Sequence, residues 1–219
     1  DGGLYSDAIP FFSGVHIFKA DKQVIEKLSE HKSLLGDGKL QHSFPHSWRS
    51  KAPLVYRATS QWFISMEKKD LRKKALKAID DTDFYPERGR ARIRAMIETR
   101  PDWCISRQRI WGVPLPLFIS KKTKEPLRDP EVIENIAKIY EKEGSDCWFT
   151  DDPQKFLGKK YKKEDYVKTS DIVEVWFDSG SSHSYVLEKR KDLMWPASMY
   201  LEGSDQHRGW FHSSLLESC

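Results

Sequence analysis

The residues best suited to chemistry lie near the end of the chain, where positions 200–211 read Tyr-Leu-Glu-Gly-Ser-Asp-Gln-His-Arg-Gly-Trp-Phe. Polar and apolar side chains alternate there without a helical or strand period, which favours a ligand-binding loop. Glu202 offers a carboxylate to an amine or a ribose, while Asp205 and Gln206 suit an ammonium or hydroxyls. Trp210 offers an apolar wall. The alternative is a polar loop that leads into a helix and supplies its serine as N-cap.

A second candidate stretch is 171–178, in which residues alternate in polarity before a Ser/Gly run at 179–182. This pattern predicts a β-strand that runs into a loop. Ligands of open α/β sheets bind outside the carboxyl ends of the strands, so Trp176 and Asp178 would lie at such a crevice. A buried core tryptophan is the alternative for Trp176, and both interpretations can hold together.

A third stretch, 100–112, combines guanidinium groups with indole rings. Its members are Arg100, Trp103, Arg107, Arg109 and Trp111. Planar cations beside aromatic rings suit contacts with phosphates and bases. The alternative is that both tryptophans are core residues and the arginines bridge carboxylates.

Composition limits the class of protein. The chain has 219 residues, a formal net charge of +4 and a sequence pI near 8.8, which is compatible with an RNA partner without requiring one. Its three cysteines lie far apart, and their odd number argues against a disulfide framework, so a reducing, cytoplasmic setting is expected. No apolar run is long enough to span a membrane. Because the chain starts without Met and stops just after 200–211, it is expected to be an internal fragment.

Local patterns predict the main elements. Helices are expected at 21–35, 67–80, 87–99 and 130–143, and strands within 9–18, 54–64 and 112–119. The best-specified helix has Asp129 as N-cap, Pro130 in its first turn and Gly144 at its end. Its isoleucines Ile133, Ile136 and Ile139 are expected on one side of the helix.

Several motifs together carry a family resemblance. The stretch 200–211 is similar to the adenylate-binding motif of the isoleucyl-tRNA synthetases, which are class I aminoacyl-tRNA synthetases. Two further motifs follow the order of that family, 100–112 and the stretch 171–183 with its core Val-Trp-Phe-Asp-Ser-Gly-Ser. The segments 47–53 and 61–65 are similar as well, so the resemblance covers most of the chain.

The resemblance implies an α/β fold, namely part of a Rossmann-like class I catalytic core preceded by the tail of an inserted β-rich editing domain. It implies four segments. They are 1–50, the editing tail and connector; 51–120, the return to the catalytic core; 121–170, a small peripheral insertion; and 171–219, the core segment with the adenylate-binding motif.

The function implied is isoleucine–tRNA ligase activity, in which isoleucine is activated with ATP and transferred to tRNA(Ile). The chain would supply one wall of the synthetic site. Carried over by motif, the adenylate-binding residues are Glu202, Gly203, Asp205 and Gln206, and the residues flanking the isoleucine side chain are Trp176 and Trp210. Asp205 would bind the ribose, and Gln206 would lie close to the amino acid. Near the tRNA 3′ end the resemblance places Arg100, Arg107 and Arg109.

The resemblance also implies what this chain lacks. The phosphate-handling signatures His-Ile-Gly-His and Lys-Met-Ser-Lys-Ser do not occur in it, so no catalytic residue is assigned and the chain alone is expected to be inactive. The full enzyme would be a monomer that uses ATP as a substrate together with Mg²⁺.

Some family members bind zinc through two cysteines where this chain has Ser47 and Ser50. No zinc is therefore expected, despite the nearby His42 and His46. The alternatives are an RNA-binding module without catalysis and part of an editing hydrolase.

Overall fold

The computed structural model describes residues 3–219. Contacts within the chain define two compact units, 1–59 and 60–219. The predicted division into four segments stays a prediction.

The first unit holds one α-helix, α1 (Asp21–Glu30), after a 3-10 turn at Ile17–Lys19. The predicted strand within 9–18 is wrong, because this segment forms turns and contributes only one isolated bridge residue, His16. Helix α1 also ends earlier than predicted. Lys32 adopts a left-handed conformation with φ of 55°, and the N–H of Ser33 donates to the carbonyl of Leu28 at 2.8 Å. This Schellman arrangement satisfies the last carbonyls without glycine.

In the second unit, two helices agree with the sequence prediction. They are α2 (Leu71–Asp80) and α3 (Arg88–Glu98). The residues that they bury recur at helical spacing, which is the spacing that predicted them: Ala75, Ile79, Ile93 and Ile97. This face packs into one core with Met66, Trp103 and Leu216.

All strand pairs in the described residues are short and antiparallel. β1 (Phe63–Ile64) pairs with β2 (Trp103–Cys104), β3 (Ser106–Arg107) with β6 (Ile172–Val173), and β4 (Phe118–Ser120) with β5 (Tyr166–Lys168). The predicted strand within 54–64 is therefore confined to its last two residues. The mixture of helices and strands agrees with the α/β class, while the Rossmann-like core and the editing tail remain predictions.

Helix α4 (Pro130–Glu143) has the ends that its sequence predicts. The Asp129 side chain accepts from the N–H of Glu131, and Gly144 follows the helix with φ of 83°. The side that carries the isoleucines is only partly covered, because Ile133 is 55% exposed whereas Val132 and Ile136 are buried. The helix packs on a second core with the short helices α5 (Cys147–Thr150) and α6 (Pro153–Leu157).

The stretch 171–178 differs most from its prediction. Its strand stops at Val173, and helix α7 (Val175–Gly180) follows, then a π-helical stretch at His183–Glu188. The cause is tertiary. Glu174 is buried, its N–H donates to the carbonyl of Ile105 at 2.8 Å, and its carboxylate pairs with Arg107. The chain turns at this anchored residue. The C-terminal part contains a 3-10 helix at Ser204–Arg208 and then α8 (Trp210–Ser218).

Candidate functional site

The side chain of Gln206 links the polar loop to helix α8. Its Oε1 accepts from the backbone N–H of Trp210 at 2.9 Å, and its Nε2 donates to Oδ2 of Asp205 at 3.0 Å. One amide therefore satisfies an otherwise unpaired donor at the helix start and orients a neighbouring carboxylate. The alternative N-cap, Ser204, does not serve α8, because it begins the preceding 3-10 helix.

Gly209 is the point at which two separate sequence motifs meet. A Cβ atom placed on Gly209 would lie 2.9 Å from the ring of Trp176 and would also collide with Oε1 of Gln206. These two close approaches leave no room for a side chain, so glycine is required here for space. Trp176 keeps 40% of its surface exposed, which leaves part of the indole available to a ligand.

The indole of Trp210 is fixed from two sides. Its Nε1 donates to the carbonyl of Ser179 at 3.0 Å and to Oγ of Ser182 at 3.1 Å. One ring face stacks on Tyr200 at 4.0 Å between centroids, and the Tyr200 hydroxyl is 2.9 Å from Oγ of Ser214. Sequence reasoning missed these supporting residues. The only sequence signal for them is the Ser/Gly run 179–182, which by itself predicts a loop.

Both loop carboxylates are exposed. Oε2 of Glu202 accepts from the N–H of Gly203 at 3.2 Å, and Oδ1 of Asp205 lies 2.7 Å from the position that a Cβ on Gly203 would take. The loop thus carries Asp205 folded back against a residue without a side chain. The carboxylate of Asp205 is exposed to solvent, where it can accept hydrogen bonds from hydroxyl or ammonium groups.

The three predicted tRNA-binding arginines are in different environments. Arg107 pairs with the buried Glu174, and Arg100 is half-buried with its guanidinium 5.5 Å from the ring centre of Trp103. Trp103 and Arg107 fit the alternative interpretation, as a core tryptophan and an arginine that bridges a carboxylate, whereas Trp111 does not. Arg109 and the 94% exposed Trp111 lie at the surface. A role in binding tRNA stays a prediction for all three arginines.

A cavity of about 380 Å³ lies beside α7 and α8. Its wall includes Phe177, His183, Leu216 and Glu217. Oε1 of Glu217 is buried without a hydrogen-bond partner in the part of the chain that the structure describes. Burial, with a smaller contribution from Asp178, raises the pKa of Glu217 to about 8. Burial also lowers the pKa of His212 to about 4.

These shifts predict a pH-dependent stability. The pKa of Glu217 is about 8 in the folded chain against an ordinary value of 4.5. At pH values between these two pKa values, Glu217 is protonated in the folded chain but ionised in the unfolded chain. The free energy of unfolding therefore falls as the pH rises towards 8. His212 acts in the opposite direction, but only below its ordinary pKa of 6.5. Urea unfolding from pH 6.5 to 8 should show this decline, and Glu217→Gln should flatten it. An equal slope in both proteins would contradict the assignment.

Among residues 3–219, no cluster of three His, Cys, Asp or Glu side chains is arranged to hold a metal ion. At the position of the zinc-binding cysteines of some family members, Oγ of Ser47 accepts from the N–H of Ser50 at 3.2 Å. A hydroxyl thus closes the turn. The absence of zinc from the purified protein stays a prediction.

The sequence profile of the family described as tRNA synthetases class I (I, L, M and V) matches residues 11–219. The chain belongs to this class I tRNA synthetase family. The candidate site therefore lies in a synthetase domain, within its matched residues. No helix in the described part of this synthetase chain is long and apolar enough to cross a membrane.

Individual relatives agree with the family. Isoleucine–tRNA ligase of Pelagibacter ubique is 75% identical over 217 residues, a match that covers 99% of this chain and 24% of that protein. The isoleucine–tRNA ligases of Laribacter hongkongensis and Francisella philomiragia are 51% and 53% identical and are covered over 23% of their length. The synthetase chain thus spans about a quarter of the length of these curated relatives.

Proposed function

We propose that this chain forms one wall of the synthetic site of an isoleucine–tRNA ligase. In that enzyme, isoleucine and ATP react to isoleucyl-adenylate, and the isoleucyl group is then transferred to tRNA(Ile). The observation that carries the proposal is the meeting of Trp176 and Gln206 at Gly209. An apolar ring and a polar amide from different motifs thereby lie side by side, as an amino acid with an apolar side chain requires.

Each group at this place has a function that its environment supports. Asp205 presents an exposed carboxylate to the ribose hydroxyls of the adenylate, and Glu202 and Gly203 complete that side of the loop. Gln206 lies between the adenylate and the amino acid. Trp176 and Trp210 border the isoleucine side chain. Catalysis by such a wall consists of positioning the reactants, because no group in it handles the reacting phosphate.

An apolar wall of this kind has limited power to discriminate. Valine lacks one methylene relative to isoleucine, a difference worth about 1–3 kcal/mol in a hydrophobic pocket. An editing activity elsewhere in the enzyme therefore fits the proposal, with the segment 1–50 as the tail of the editing domain. The core segments would belong to a Rossmann-like fold in a monomeric, cytoplasmic enzyme. Mg²⁺ would arrive with ATP, because it binds mainly through phosphates and one or two carboxylates.

The test is a chimaera. This chain replaces the 217-residue segment of the Pelagibacter ubique ligase to which it is 75% identical. Isoleucine-dependent exchange of pyrophosphate into ATP should be retained. The 219-residue chain alone should show none, because it contains neither phosphate-handling signature.

The chimaera should support exchange with isoleucine far better than with leucine. Loss of exchange in a chimaera that folds and binds tRNA would contradict the proposal and favour an RNA-binding module. Deacylation of valyl-tRNA by the chain alone would instead favour the editing hydrolase.

A further inference from the structure

The first unit contains a tight hairpin at residues 44–56 that the candidate site does not use. The N–H of Ser47 donates to the carbonyl of Ala52 at 2.8 Å, and the N–H of Leu54 donates to the carbonyl of Pro45 at 3.0 Å. At the tip, Lys51 adopts a left-handed backbone conformation with φ of 59°. The backbone of residues 48–51 is thus held at the end of a closed loop.

The hairpin tip exposes an aromatic ring and a cation as one unit. Trp48 is 76% exposed, and the guanidinium carbon of Arg49 lies 4.8 Å from the centre of its ring. Within residues 3–59, no carboxylate forms an ion pair with Arg49. A large exposed indole costs solvation free energy unless a partner covers it, and the adjacent guanidinium favours a partner with negative charge.

The sequence segment that contains the tip carries charge of one sign. Residues 38–59 contain no Asp or Glu, although acids are frequent in the rest of the chain. Another exposed aromatic in the same unit differs in this respect. Lys27 lies 5.4 Å from the ring centre of Phe11, but it pairs with Glu30 at 2.6 Å, which neutralises it. Of the two cation–ring pairs in residues 3–59, the one at Trp48 therefore has the cation without an ion pair.

We propose that the hairpin tip formed by Trp48 and Arg49 is an RNA contact, with Trp48 stacked on an unpaired base and Arg49 on an adjacent phosphate. Bases stack on exposed aromatic rings regardless of sequence, and guanidinium groups pair with phosphates in two-point contacts. An acidic protein would satisfy the cation without needing the flat open ring. The proposal rests on the proposed function for the identity of the RNA, a transfer RNA.

The test measures the affinity of the 219-residue chain for a fluorescent tRNA(Ile) transcript by anisotropy. Trp48→Ala should weaken binding about tenfold, as the loss of one stacked base does. Arg49→Gln should weaken it as well and should lower the dependence of log K on log salt by about 0.7 to 0.9, the effect of one phosphate contact. Inorganic polyphosphate as the probe should separate the two effects, since only Arg49→Gln should weaken its binding.

Phe11→Ala is the matched control, because it removes an exposed ring whose cation is already neutralised, and it should leave RNA affinity unchanged. Circular dichroism of each variant checks that the chain stays folded. Unchanged tRNA affinity in folded Trp48→Ala, or equal losses in Phe11→Ala and Trp48→Ala, would overturn the proposal. In the chimaera, Trp48→Ala should leave isoleucine-dependent exchange intact, so a failure of the proposed function can be told apart from a failure of the RNA contact.

Discussion

Asp205→Ala in the chimaeric ligase is expected to lower ATP-dependent isoleucine activation about ten- to a hundredfold. The exposed carboxylate of Asp205 is placed to accept hydrogen bonds from the ribose, and a charge-assisted bond of this kind contributes about 1.5–3 kcal/mol. Its loss should raise the KM for ATP or lower kcat, with little change in the KM for isoleucine. Pyrophosphate exchange at varied ATP and isoleucine concentrations measures this division.

Two further variants sharpen that result. Asp192→Ala removes another exposed carboxylate, which pairs only with Arg190 among the described residues, and should have no effect. Trp210→Phe keeps a ring stacked on Tyr200 but loses both indole hydrogen bonds. It should therefore weaken the binding of isoleucine more than the binding of ATP. If Asp205→Ala left the ATP dependence as it is, the loop would not be the adenylate site.

Gly180→Ala is expected to destabilise the fold by about 1–3 kcal/mol, as overpacking of a tight contact does. A Cβ on Gly180 would lie 2.9 Å from the backbone carbon of Ser213 and would collide with the carboxyl group of Glu217. Alanine is preferred to glycine in a helix by about 1 kcal/mol, which opposes the effect without cancelling it. Urea unfolding of the 219-residue chain measures the net change.

A double-mutant cycle separates the two collisions. Glu217→Ala should relieve the clash with the carboxyl group, so the pair Gly180→Ala with Glu217→Ala should be less destabilised than the sum of both changes. The clash with the backbone of Ser213 should remain. Gly36→Ala, at a glycine with open space around it, is the matched control and should change stability by less than about 0.5 kcal/mol. A similar cost at Gly36 would show that close packing at Gly180 is not the cause.

The sequence alone located the elements whose signals are local. Helix α4 begins after Asp129 and ends before Gly144 because an N-cap acid, a proline in the first turn and a C-terminal glycine act within a few residues of the backbone that they terminate. Helices α2 and α3 are predicted by the spacing of their apolar residues, which is also a local signal. The residues proposed for the site were found through their motif, and their roles stay predictions.

Tertiary contacts decided the rest. Residues 174–178 do not continue the predicted strand, because Glu174 is held by Arg107 and Ile105, which are distant in sequence. Ile133 faces solvent although its spacing suits a core, because the neighbouring core meets the helix at Val132 and Ile136. Periodicity defines an apolar stripe, but which part of the stripe is covered depends on what packs against it.

The candidate site shows the same division. The composition of 200–211 indicated a polar, ligand-binding loop. That loop contacts Trp176 only because Gly209 leaves room for the ring, and Trp210 keeps its orientation only because Ser179 and Ser182 accept its N–H. These contacts join residues about thirty positions apart. No local pattern encodes such distances, since they arise when α7 packs against α8.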